Sequence, residues 1–198
     1  MRKKSHISLA KYLMNSKGME HIQDHKKSFY LGSILPDCTP SFITRRHSID
    51  ETFHILKEEI RKVTDGYDTE KGMSRYYCRH LGVITHYIAD YFTFPHNTIF
   101  TGNIKEHCEY EKELKFALKK YVHSEEAKRV REKNGTFTTV EEILAFIERM
   151  HVEYLQVIKV VKLDCHYIVE LCHKVVDAIL QIFELNFMEM KQLEAAYE

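Results

Sequence analysis

An all-α fold is what the sequence predicts, and three observations carry it. Apolar residues recur at steps of three and four along most of the 198 residues, alternating strand-like runs are missing, and helix-start signals precede the clearest apolar stripes. A chain of this length fits a single compact multi-helix domain over 1–198, able to bury about 70% of its unfolded surface without covalent staples. Hydrophobic residues make up 44%, and only seven Gly and three Pro occur. That balance excludes collagen-like, low-complexity and disordered classes.

Helices are expected first over 5–17 and 20–34. Ser48-Ile49-Asp50-Glu51 reads as a capping box opening a helix over 49–64, with Ile49, Phe53, Leu56, Ile60 and Val63 along one side and a stop before Gly66. Further helices are expected over 74–92, 104–122 and 125–132, with links at Gly66 to Gly72 and at Asn134-Gly135. Thr139 with Glu142 is a second capping box, leading into Ile143, Ile147, Met150, Tyr154, Leu155 and Ile158. From about Asp164 a closing helix aligns Ile168, Leu171, Val175, Ile179, Ile182 and Phe183.

Twenty-nine basic residues balance twenty-nine acidic ones, so no global field holds a polyanion, although residues 1–30 carry seven basic and two acidic side chains. Five cysteines without a CxxC pair argue against a disulfide framework and against a thiolate zinc finger, and fit a reducing compartment. The start, MRKKSHISLAKYLM, is broken by Lys11 and reads as carrying no export signal, which gives a cytoplasmic expectation. The longest uncharged run, Tyr91 to Ile104, includes Pro95 and falls short of the ~20 apolar residues of a membrane span.

Thirteen histidines are the informative feature. On a helix, residues four apart face the same way, so His-x-x-x-carboxylate can aim a nitrogen and an oxygen donor at one metal. Random placement gives about two such pairs and the sequence has six, so most, such as His47/Glu51, His54/Glu58, His166/Glu170 and His173/Asp177, are ordinary helix-surface pairs. His86/Asp90 and His107/Glu111 differ in context. Pro95 ends the helix that bears His86 and Asp90, which lets His96 face back toward them, and His107/Glu111 follows one loop later. Five donors can then converge, and imidazole with carboxylate but no thiolate suits zinc, with manganese, iron and nickel accepting similar donors.

HYxxDxxxxPH at His86 to His96, followed by HxxxE at His107 to Glu111, resembles the bacterial zinc-dependent phospholipase C family. The element Gly32-Ser-Ile-Leu-Pro-Asp37, with His47 after it and His6 near the start, extends the resemblance over residues 6–111, leaving 112–198 as helical completion of the core. The resemblance implies an all-α fold shared with single-strand nucleases. It implies one zinc on Asp37, His47, His86 and Asp90, and a second on His96, His107 and Glu111. A third would be shared by Asp90 and His6, where the family also uses the free amine of a processed Trp; this chain has no Trp.

Zinc ions so placed support phosphoester hydrolysis by an activated water, with Asp37 as general base by the same resemblance. The expected substrate is a phospholipid or another small phosphodiester, with peripheral membrane contact, and with nucleotide or nucleic acid substrates second. A non-catalytic helical zinc-binding module is the alternative of a different class. No phosphate-binding glycine loop and no GxSxG elbow is present, so ATP, NAD and covalent serine chemistry find no support.

Overall fold

A computed structural model describes residues 1–39, 45–65, 67–128 and 137–197. Seven α-helices and no strand occur among them: α1 (Lys3–Met14), α2 (Lys26–Gly32), α3 (Ile49–Lys62), α4 (Arg75–Tyr91), α5 (Ile104–Tyr121), α6 (Val140–Gln156) and α7 (Val161–Tyr197). The all-α expectation holds. No helix among the described residues is long and apolar enough to cross a membrane, and all five cysteines are free.

Helix α4 is the centre, because every residue from Leu81 to Tyr91 is buried. A helix apolar all round must be surrounded, and α4 packs against α2, α3 and α7. Helix α5 lies between α1 and α7. Several helix ends match their sequence signals. Thr139 and Glu142 form the expected capping box, and Asn103 with Glu106 forms another that the sequence reading did not single out.

Four expectations are corrected. Ser48 precedes α3 in extended backbone, but its side chain caps nothing: the Glu51 N–H bonds to the Ser48 carbonyl oxygen, and the Glu51 carboxylate accepts the Arg46 N–H. The segment 20–34 divides into a 3₁₀ turn, Glu20–His25, and the short α2. The expected helix 125–132 opens, over its described residues, as a single 3₁₀ turn, Glu125–Ala127, with Lys128 already extended. Residues 129–132, together with Gly66 and Asn134-Gly135, lie outside the described residues. Ile158 falls beyond α6 and is 79% exposed, so it does not belong to that helix's buried stripe.

The α2–α4 contact is the tightest in the fold. A Cβ at Gly82 would sit 2.3 Å from the Phe29 carbonyl oxygen and 2.8 Å from the Ser33 nitrogen, and one at Gly32 would sit 2.0 Å from the Arg79 carbonyl oxygen. Only hydrogen fits at these crossings. Gly82→Ala should therefore force the helices apart and destabilise by about 1–3 kcal/mol, the range for overpacked interiors. Thermal unfolding checks this, and an unchanged midpoint would contradict the close approach.

Candidate metal centre

Four chain segments deliver the donors. Helix α4 carries His86 and Asp90 one turn apart, both with no exposed side-chain surface. The 3₁₀ turn Pro36–Cys38 after α2 supplies Asp37, the residue before the N-cap of α3 supplies His47, and α1 supplies His6. The turn Phe94–His96 presents His96, and the first turns of α5 present His107 and Glu111.

These side chains form two groups. In the inner one, Asp37, His47, His86 and Asp90 are all buried, with one donor atom of each within 4.8 Å of the others. His86 Nε2 lies 3.2 Å from Asp90 Oδ2, 3.7 Å from Asp37 Oδ1 and 2.9 Å from His47 Nδ1, and His47 Nδ1 is 3.0 Å from Asp90 Oδ2. In the outer group, Glu111 Oε1 is 3.3 Å from His96 Nε2 and 3.4 Å from His107 Nε2. His107 is the most exposed donor, at 33% of its side chain.

Asp90 joins the two. Its Oδ2 lies 3.8 Å from His96 Nδ1, and its Oδ1 accepts from the Met1 ammonium at 2.5 Å and stands 3.3 Å from His6 Nε2. The same ammonium donates to His96 Nε2 at 2.8 Å and is 3.2 Å from Glu111 Oε1. All eight donors named from the sequence thus meet in one region. Met1 is an addition that the sequence reading did not name: its amine lies among Asp90, His96 and Glu111.

The charges follow from this packing. Burial alone would raise the Asp90 carboxyl, but the ammonium together with His96, His86 and His6 holds it well below the ordinary carboxylate range. The amine of Met1 is disfavoured as a cation by burial, yet Asp90 and Glu111 raise its pKa above the ordinary value. His6 is pushed down to about 3 by burial and by His86, so its ring is neutral. Burial and the ammonium likewise lower His96. Asp37 is raised, chiefly by burial and also by Asp90.

Two observations show that the residues fit a metal. His86 Nδ1 is 2.9 Å from the Ser33 carbonyl oxygen, so it carries a proton and donates, which turns Nε2 toward Asp37, Asp90 and His47. His6 is buried with neither ring nitrogen in hydrogen-bond geometry, although Nε2 faces Asp90 and the ring stacks on His86 at 3.9 Å. An orphaned neutral imidazole beside a buried carboxylate is a vacant donor for a cation. Imidazole and carboxylate without thiolate, and three carboxylates to offset the ions, suit zinc.

Support for the site comes from a part of the chain in which the sequence shows no motif. Asp164, in the first turn of α7, accepts from the Phe94 N–H at 2.9 Å, Tyr110 at 2.9 Å and Tyr154 at 2.7 Å, which pins the turn holding His96. Asn97, next to His96, donates to the Tyr91 and Thr93 carbonyls while its Oδ1 meets His151 Nε2 at 2.7 Å. No local pattern marks Asp164 or His151, because Asp164 acts on Phe94 and Tyr110 and His151 on Asn97, all more than fifty residues away. Arg45 and Arg46 are exposed.

The family model described as zinc dependent phospholipase C matches residues 5–159, a span that contains every candidate donor side chain. No curated protein and no solved structure matches the chain.

Asp164 gives a test of the buttress. Burial pushes its carboxyl up to about 6 despite three hydrogen bonds. An unfolded Asp releases its proton near ~4, so between these values the native state holds more protons and stability falls as pH rises. The stability of the wild type minus that of Asp164→Asn, which stays neutral, should drop by about 2–3 kcal/mol from pH ~4 to pH ~7. Urea unfolding across that range measures it, and parallel profiles would refute the raised carboxyl.

Proposed function

The chain belongs to the zinc-dependent phospholipase C family, and we propose on that premise that it is a zinc-dependent phosphodiesterase whose substrate is a phospholipid headgroup ester or a related phosphoester. The observation that carries the reading is the convergence of two donor groups on one buried carboxylate, Asp90, with a second carboxylate, Asp37, beside them. Asp37, His47, His86 and Asp90 would hold one zinc, and His96, His107 and Glu111 another. His6 and Asp90 would hold a third.

Bound zinc supplies a water acidified toward a pKa of ~7 and charge to stabilise a phosphoryl group in an in-line displacement. The protein's own share is orientation and proton transfer. The Ser33 carbonyl fixes the His86 tautomer, and the Asp164 contact to Phe94 holds the turn that presents His96. Asp37 is the proposed general base. Its raised carboxyl binds a proton more readily than an ordinary Asp, which favours taking the proton from an attacking water. The greater exposure of His107 makes the outer group the side from which a phosphodiester would enter.

Elemental mass spectrometry of purified protein should find two to three zinc ions per chain, nearly all lost in Asp90→Ala. Zinc-loaded protein should hydrolyse bis-nitrophenyl phosphate and a chromogenic phosphocholine ester, and Asp37→Asn should lower kcat by about 10²–10⁴. Zinc bound at full occupancy with no hydrolysis of either ester would leave a non-catalytic zinc-binding module.

A further inference from the structure

Lysines line a groove of about 1190 Å³ between α1 and α5. Lys3, Lys4 and Lys11 belong to α1, Lys17 lies just past its end, and Lys115 and Lys119 face them from α5. No carboxylate is among the described residues that line this groove, and none of these six lysines is ion-paired with a described residue. Lys128, also in the lining, does pair with Glu125. The other prominent side chain is Phe116, 58% exposed, with the Lys115 ammonium 4.1 Å from its ring centre.

The groove is continuous with the metal centre through two helix faces. On α5, His107, Glu111, Lys115 and Lys119 follow one another at steps of four, so the lysine row prolongs the row that carries the outer donors. On α1, Lys3 and Lys4 stand between Met1 and His6, and Lys11 lies two turns further on. Exposed aliphatic residues flank the outer group: Ile104, three residues before His107, is 84% exposed, and Ile99 is 41% exposed.

Six ammonium groups in one groove, none ion-paired with a described residue, repel one another unless anions enter. A row of cations beside protruding aliphatic and aromatic side chains matches a lipid interface, where phosphates meet the lysines and apolar tips reach the acyl boundary. A polynucleotide would supply the charge as well, but it also needs a series of stacking rings, and Phe116 is the one exposed phenyl or phenol ring in the lining. Ile99 and Ile104 would have no use in that case.

We propose that this lysine groove is the face by which the protein docks on an anionic phospholipid bilayer, turning the outer donor group toward the headgroup layer. The choice of lipid as occupant rests on the phosphodiesterase reading above, whereas docking itself needs no catalysis. The test is co-sedimentation of the full chain with vesicles of phosphatidylcholine alone and with vesicles containing about one third phosphatidylglycerol, at low and high salt. Binding should need the anionic lipid and weaken with salt. Lys11→Gln combined with Lys119→Gln should weaken it about thirtyfold, at roughly fivefold per lysine, while the matching Arg pair retains it. Hydrolysis of water-soluble bis-nitrophenyl phosphate should be the same in all three proteins.

Equal binding to both vesicle types, or binding that the Gln pair leaves intact, overturns the proposal. Displacement from anionic vesicles by a single-stranded oligonucleotide at much lower concentration than inorganic phosphate requires would assign the groove to a polynucleotide and overturn it as well. If vesicle binding behaves as expected and the soluble ester is not cleaved, the phosphodiesterase reading fails and the docking face stands.

Discussion

The Asp90 carboxylate has no exposed surface and sits in a helix buried along its whole length from Leu81 to Tyr91. An ionised group in that position is tolerable only if cations or hydrogen-bond donors surround it, since an unpaired buried charge costs several kcal/mol or more. The surroundings are assembled from distant parts of the sequence: the Met1 amine and His6 from the start of the chain, His47 from the approach to α3, His86 from the preceding turn of α4 and His96 from the turn that follows it. Satisfying this one side chain fixes the mutual placement of α1, the approach to α3, α4 and the turn that follows α4.

Close helix packing makes that assembly possible. At Gly32 and Gly82 the backbones of α2 and α4 touch, and the residue after Gly32 is Ser33, whose carbonyl meets His86 one turn beyond Gly82. A wider α2–α4 spacing would separate that carbonyl from the imidazole and release the ring to either tautomer. On the opposite side, Asp164 ties α7 to the Phe94 amide and to Tyr110 of α5, so the outer donors rest on the C-terminal helices without using any of their side chains as ligands. Backbone contact on one face and a buried hydrogen-bonded carboxylate on the other hold the donors at their separations.

Much of this was legible in the sequence, for identifiable reasons. Helical periodicity located α3, α4, α5 and α6 to within a few residues, because each buries one stripe or, in α4, its whole surface. The donors of α4 and α5 were legible because they sit in short continuous motifs, where spacing of four and a helix-ending proline dictate direction. Asp164 was not, since its partner Phe94 is 70 residues away and no periodicity relates the two. The Ser48 box failed for a related reason: Glu51 has the right spacing for capping but is claimed by the Arg46 amide, a competition that spacing alone does not reveal. Glu125–Ala127 carries helix-forming residues yet closes after one turn at Lys128, and Ala127 is buried there. Its carbonyl accepts the Tyr12 hydroxyl from α1, so a tertiary contact takes up a group that a continued helix would use internally.

The even balance of charge concealed how charge is sorted in space. A formal net charge of zero over 198 residues suggested no directional field, and as a statement about the whole chain that remains correct. Locally the signs separate: Asp37, Asp90 and Glu111 point into the cluster, while Lys3, Lys4, Lys11, Lys115 and Lys119 line a groove that no carboxylate of the described residues shares. Helix α5 shows how the sequence does this with a single repeat, because at steps of four it carries His107 and Glu111 in its first two turns and Lys115 and Lys119 in the next two. Within a Debye length of ~8 Å at physiological salt, a phosphate senses that local row and not the sum over the molecule. Sequence totals therefore mislead for a helical protein of this kind, whereas charge read along individual helix faces recovers the field a ligand meets.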